Sequence, residues 1–122
     1  MATVPNFKAR FKKAVEDLKV GISTDYSTFI NPLVTKEDQQ RVRELAAKAR
    51  EEVLAHGGEV VIDLSKDEYP GFCVGPSVFE LDAKTVLTNP TVASSEVFGP
   101  VIHIIPFEDL DEAVEIFNST SF

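Results

Sequence analysis

Tryptophan is absent from this 122-residue chain, and methionine and cysteine occur once each. A single cysteine, Cys73, excludes an intramolecular disulfide framework and any cysteine-built zinc cage. Positive charge is scarce: 12 Lys and Arg stand against 20 Asp and Glu, giving a net charge of −8 and a pI near 4.7. Duplex nucleic acid or an anionic membrane would require a basic face, so neither is expected as a partner. Long apolar runs are missing too. The main uncharged apolar run, Val97 to Phe107, contains a histidine and two prolines and falls far short of the roughly 20 residues of a spanning helix. Met1 to Asn6 lack the apolar core of a signal peptide, and a cytoplasmic location is the expectation. No repeat, low-complexity tract or Gly/Ser linker divides the chain.

What is present suits one domain-sized unit. Hydrophobic residues make up 43% of the sequence, enough for a core at this length. Phe7, Phe11, Ala14, Val15 and Leu18 recur at helical spacing and predict a helix over Asn6 to Lys19, stopped by Gly21. A longer helix is predicted from Lys36 to Ala55. Thr35 serves as its cap, Asp38 completes a shortened capping box, and Val42, Leu45, Ala46, Ala49 and Val53 form its apolar stripe. Gly57 suits its left-handed terminus. A third helix runs over Leu110 to Asn118, with Asp109 as cap and Glu112 at the reciprocal position. Strands are expected at Glu59 to Leu64, Phe72 to Val74, Ser77 to Leu81 and Val101 to Pro106. The last, Val-Ile-His-Ile-Ile, reads as a strand covered on both faces. Alternating helices and strands imply an α/β fold.

The residues alone assemble no catalytic constellation. His56, at a helix end, suits the negative pole of the helix dipole. His103 reads as a packed, hydrogen-bonded core histidine. Cys73, between Phe72 and Val74, reads as a small buried hydrophobe because no base or cation adjoins it. Ser94-Ser95 lacks the glycine-flanked turn of a nucleophile elbow. No glycine-rich phosphate loop is present, and no cluster has metal-ligand spacing. Asp63, Asp67 and Glu68 are expected in a solvated turn.

The segment Glu96-Val97-Phe98-Gly99-Pro100-Val101 nevertheless resembles the Glu-Ile/Val-Phe-Gly-Pro-Val signature of the aldehyde dehydrogenase superfamily. The resemblance extends over residues 7–122. It includes Leu18-Lys19-Val20-Gly21, Asn31-Pro32-Leu33-Val34, the paired Gly57-Gly58, Gly71-Phe72 through Pro76-Ser77-Val78, Pro106-Phe107, and Asp111-Glu112-Ala113 with Asn118-Ser119-Thr120. Ser95 replaces the first of two acids usual before the signature, Asn31 replaces a common glycine, and Asp38 stands where some members carry glutamine.

The resemblance implies a part of an NAD(P)-dependent enzyme that oxidises an aldehyde to a carboxylic acid. It implies cofactor-binding roles for Glu96, on the hydroxyls of the nicotinamide ribose, and for Phe98, beside the nicotinamide. A carboxylate can accept from two neighbouring hydroxyls at once. By the same resemblance residues 1–122 are expected to form a single interior segment of the catalytic domain, a partial subdomain with helices packed on a small mixed sheet. The Rossmann-like coenzyme domain, the Gly-Gln-x-Cys nucleophile motif and the general-base glutamate of the family lie outside it. NAD or NADP is therefore expected in the full-length parent, with millimolar-range affinity or none on this chain alone, which is expected to be inactive. The expected partners are a second copy or the remainder of such an enzyme. The alternative is a stand-alone interaction or oligomerisation module built on the same fold. Thr28-Phe29-Ile30-Asn31 and Ser119-Thr120-Ser121 faintly resemble the branch acting on glutamate semialdehyde, whereas other features fit other branches equally.

Overall fold

The structure, a computed structural model, describes residues 4–121. In chain order it contains α1 (Phe7–Glu16), α2 (Lys36–Ala55), β1 (Glu59–Asp63), β2 (Ser77–Glu80), α3 (Ala83–Thr88), a 3₁₀ turn (Val92–Ser94), β3 (Val101–Ile104) and α4 (Leu110–Asn118). The sheet order is β1-β2-β3. β1 pairs antiparallel with β2, and β2 pairs parallel with β3. The sheet is thus small and mixed, as the sequence predicts.

Successive side chains of a strand point to opposite faces, and the central strand β2 uses both. Phe79 joins Val42, Ala49 and Val53 of α2, together with Val74, Leu81, Val86, Val92 and Val97, in the larger core. Val78 faces the other way, into a smaller cluster with Val15 of α1 and Val61 and Ile62 of β1. Helices therefore cover both faces of β2. The predicted stripe of α2 is the buried one: Val42, Ala46, Ala49 and Val53 are each fully inaccessible.

Thr35 caps α2 by accepting from the Asp38 amide at 3.0 Å. The reciprocal arm differs from a full capping box, because the Asp38 carboxylate accepts from the Thr35 hydroxyl at 2.9 Å. His56 is the C-cap residue, and Gly57 follows in the left-handed conformation at φ 74°. At α4, Asp109 accepts from the Glu112 amide at 2.9 Å, and Glu112 accepts from the Glu108 amide at 2.6 Å.

Four expectations change. The first helix ends at Glu16, so Leu18 lies beyond it. Phe72 to Val74 form no strand. The Phe72 carbonyl accepts from the Leu33 amide at 3.1 Å, and the Cys73 carbonyl accepts from the Gln39 side chain at 2.9 Å, so this backbone is satisfied by a loop and a helix. β3 is not covered on both faces: it lies at the sheet edge beyond β2, and Ile102 is 39% exposed. The short helix α3, capped by Asp82 through the Thr85 amide, was not predicted. No helix among the described residues is long and apolar enough to cross a membrane.

Candidate functional site

The loop between the 3₁₀ turn and β3 is fixed at both ends. On one side the Val97 side chain enters the larger core. On the other, the Pro100 carbonyl accepts from the Ser77 amide at 2.9 Å, which ties the loop to β2. Between these anchors Phe98 has φ 52°, in the left-handed region that residues with side chains seldom occupy. That turn projects the phenyl ring outward, and Phe98 is 70% exposed.

Outward does not mean away from every surface. Phe98 and Glu96 both line an open hollow of about 690 Å³ against the entry to α2, where Leu33, Val34, Asp38 and Arg41 complete the wall. The two residues singled out as cofactor-binding are thus brought together with the start of the long helix. Arg41 is the group that sequence reasoning missed. Its guanidinium donates to the Val97 carbonyl at 2.6 Å and lies 3.6 Å from the Asp38 carboxylate. The available signal was its place one residue before Val42, at the edge of the apolar stripe and three residues after Asp38.

The chemistry of this wall is specific. Two carboxylates, Glu96 and Asp38, supply only hydrogen-bond acceptors, and Arg41 is already engaged with Asp38 and the Val97 carbonyl. A phosphate would meet excess negative charge here. A neutral group rich in hydroxyls would meet acceptors, with an aromatic ring alongside.

The other candidates lie elsewhere. Cys73 is fully buried, its thiol 3.6 Å from the Gly21 carbonyl, and burial pushes its pKa up. His103 packs against Phe79 with ring centres 5.6 Å apart. Contrary to expectation its Nε2 is buried with no hydrogen-bond partner among the described residues. Burial lowers its pKa to about 4. His56 is exposed. The Ser94 carbonyl accepts from the Ser121 amide and hydroxyl, and the Ser95 hydroxyl donates weakly to the Thr91 carbonyl.

Asp63 is not in a solvated turn, since its side chain is only 7% exposed. It accepts from the Ser65 amide and hydroxyl and from the Ser77 hydroxyl. Burial pushes its pKa up, but those hydrogen bonds and Arg50 outweigh burial and hold it below the usual value. Among the described residues no group of three or more His, Cys, Asp or Glu could hold a metal ion.

Comparison with known proteins gives a consistent result. The profile described as the aldehyde dehydrogenase family matches residues 2–122. The chain is 34% identical over 116 residues to malonate-semialdehyde dehydrogenase of Lacticaseibacillus casei, an alignment covering 93% of this chain and 22% of that protein. It is 34% identical over 121 residues to betaine aldehyde dehydrogenase of Agrobacterium fabrum, covering 94% of this chain and 23% of the relative. Among solved structures, the Mycobacterium tuberculosis aldehyde dehydrogenase complexed with NAD+ superposes with a TM-score of 0.74 at 33% identity, over 92% of this chain and 22% of that one. The chain thus spans about a fifth of the length of the relatives it matches.

Proposed function

The chain belongs to the aldehyde dehydrogenase family, and from that premise we propose that it forms one wall of the nicotinamide pocket of an NAD(P)-dependent aldehyde dehydrogenase. In this reading Glu96 accepts hydrogen bonds from the ribose hydroxyls next to the nicotinamide, and Phe98 packs beside the nicotinamide ring. When bound, the coenzyme supplies the hydride acceptor for oxidation of an aldehyde to a carboxylic acid. The observation that carries the reading is the shared hollow, with Glu96 and Phe98 on one rim and the entry to α2 on the other.

The residues present fit that ligand. An exposed carboxylate can accept from two adjacent hydroxyls, and an aromatic face can lie against a flat heterocycle. Excess acid on the wall disfavours the pyrophosphate and leaves the ribose as the group it suits. The two relatives named above take chemically different aldehydes by their names. The solved Mycobacterium tuberculosis relative is an NAD+ complex, which supports a coenzyme rather than an aldehyde as the ligand of this wall.

The reacting thiol belongs to the remainder of the enzyme. Cys73 is inaccessible and its thiol is disfavoured as thiolate, so it supplies no nucleophile. The isolated chain is therefore expected not to oxidise aldehydes. Incubation with NAD+ or NADP+ and a panel of aldehydes should give no reduced coenzyme at 340 nm. Sustained turnover would refute the reading.

A second reading, an interaction module, is favoured by α4. No residue of that helix is buried, although Leu110, Val114 and Phe117 are 75%, 51% and 78% exposed. An apolar helical face in water points to association, either with the remainder of an aldehyde dehydrogenase or with a second copy.

A further inference from the structure

Phe98 carries a side chain in a backbone conformation that disfavours one, and its ring makes little contact to offset this, being largely exposed. The conformation must therefore be imposed by its neighbours. Both are gripped by successive residues of α2. Val97 is held through its carbonyl by Arg41 at 2.6 Å. Gly99 lies so close to Val42 that an added Cβ would stand 2.5 Å from Val42 Cγ1. The guanidinium is itself oriented: its second nitrogen faces Asp38 at 3.6 Å, and Asp38 is fixed by the capping hydroxyl of Thr35 at 2.9 Å. A continuous chain of contacts, Thr35 to Asp38 to Arg41 to Val97, links the cap of α2 to the loop.

We propose that Arg41 is a positioning residue, which holds the Glu96–Phe98 loop in the conformation that turns both side chains into the hollow. Its value to coenzyme binding rests on the reading of that hollow given above; its anchoring of the loop does not. Arginine suits the task because its planar fork can donate to the Val97 carbonyl from one nitrogen while a second keeps its charge beside Asp38. Lysine carries its three donors on one freely rotating nitrogen, so it reaches two partners only where both converge on that single atom, and it does not fix their relative geometry as a planar fork does.

The test is the backbone order of the loop in the ligand-free chain, measured by ¹⁵N relaxation. In the parent chain the amides of Glu96, Val97 and Phe98 should show order parameters near the rigid value of about 0.85, and in Arg41→Met they should fall below about 0.6. Arg41→Lys should lie between the two. Amides of α2 and β2 should not change. A loop that stays ordered in a folded Arg41→Met protein would overturn the proposal. So would loss of order spread evenly over α2 and the sheet, which would make Arg41 a general stabiliser. Failure of the coenzyme reading is seen separately, as absence of nicotinamide mononucleotide binding by the parent chain, whatever Arg41→Met does to the loop.

Discussion

Gly99 and Val42 are in contact so close that the loop bearing Glu96 and Phe98 lies directly on the first buried turn of α2. A Cβ at Gly99 would meet Val42 Cγ1 at 2.5 Å and Cγ2 at 2.7 Å. Val42 cannot yield, since it is fully buried and a β-branched side chain in a helix has one strongly preferred rotamer. The glycine of the signature is thus required by approach rather than by dihedral freedom.

Gly99→Ala should accordingly destabilise the chain by about 1–3 kcal/mol, the usual cost of overpacking a filled core. A fall in the urea midpoint without change in its slope checks this. Ala at Gly57, where nothing lies within 4 Å, pays for left-handed backbone alone and serves as the comparison.

His103 gives the fold a pH dependence of definite sign. Its folded pKa is lowered to about 4 by burial, against about 6.5 in an unfolded chain. Between these values the unfolded state binds more protons, so stability rises with pH. The protonation-linked cost of His103 is thus absent above about pH 6.5 and grows as pH falls toward 4, by at most about 1.4 kcal/mol per pH unit. Urea midpoints measured from pH 7 to pH 4 should fall more steeply in the parent than in His103→Leu.

Cys73 should be silent until the chain unfolds. Burial both hides the thiol and raises its pKa, and the thiolate is the reactive form. A colorimetric thiol reagent should label almost none of it in the native protein and one thiol per chain in denaturant, as the single cysteine requires. Fast labelling of the native state would contradict the burial on which its exclusion as a nucleophile rests.

What could be read from the sequence was what is local. Lys36–Ala55 was legible end to end, because a capping threonine, a 3.6-residue apolar stripe and a left-handed glycine agree there. Phe72 to Val74 misled because the signal of a short apolar run is ambiguous, and the partners that settle it, Gln39 and Leu33, are distant in sequence. β3 misled for a related reason: its β-branched run resembles a covered strand, yet only β2 lies beside it among the described residues. α3 left no trace, being six residues with two threonines and no stripe. At the site, Glu96 and Phe98 were marked by a contiguous motif. Arg41 was not, since its contact with Val97 spans 56 positions. Asp63 looked solvated because Ser77 and Arg50, which surround it, come from other elements.

In the proposed role the hollow takes the nicotinamide half of the coenzyme rather than the adenine half. Amide chemical shifts of the ¹⁵N-labelled chain, followed during titration with nicotinamide mononucleotide and separately with adenosine monophosphate, test it most directly. The first should bind weakly, near the millimolar range that corresponds to about −4 kcal/mol, with shifts confined to Glu96, Phe98 and the entry to α2. Adenosine monophosphate should leave those amides unmoved. Equal shifts with both, or shifts from nicotinamide mononucleotide that bypass Glu96 and Phe98, would contradict it.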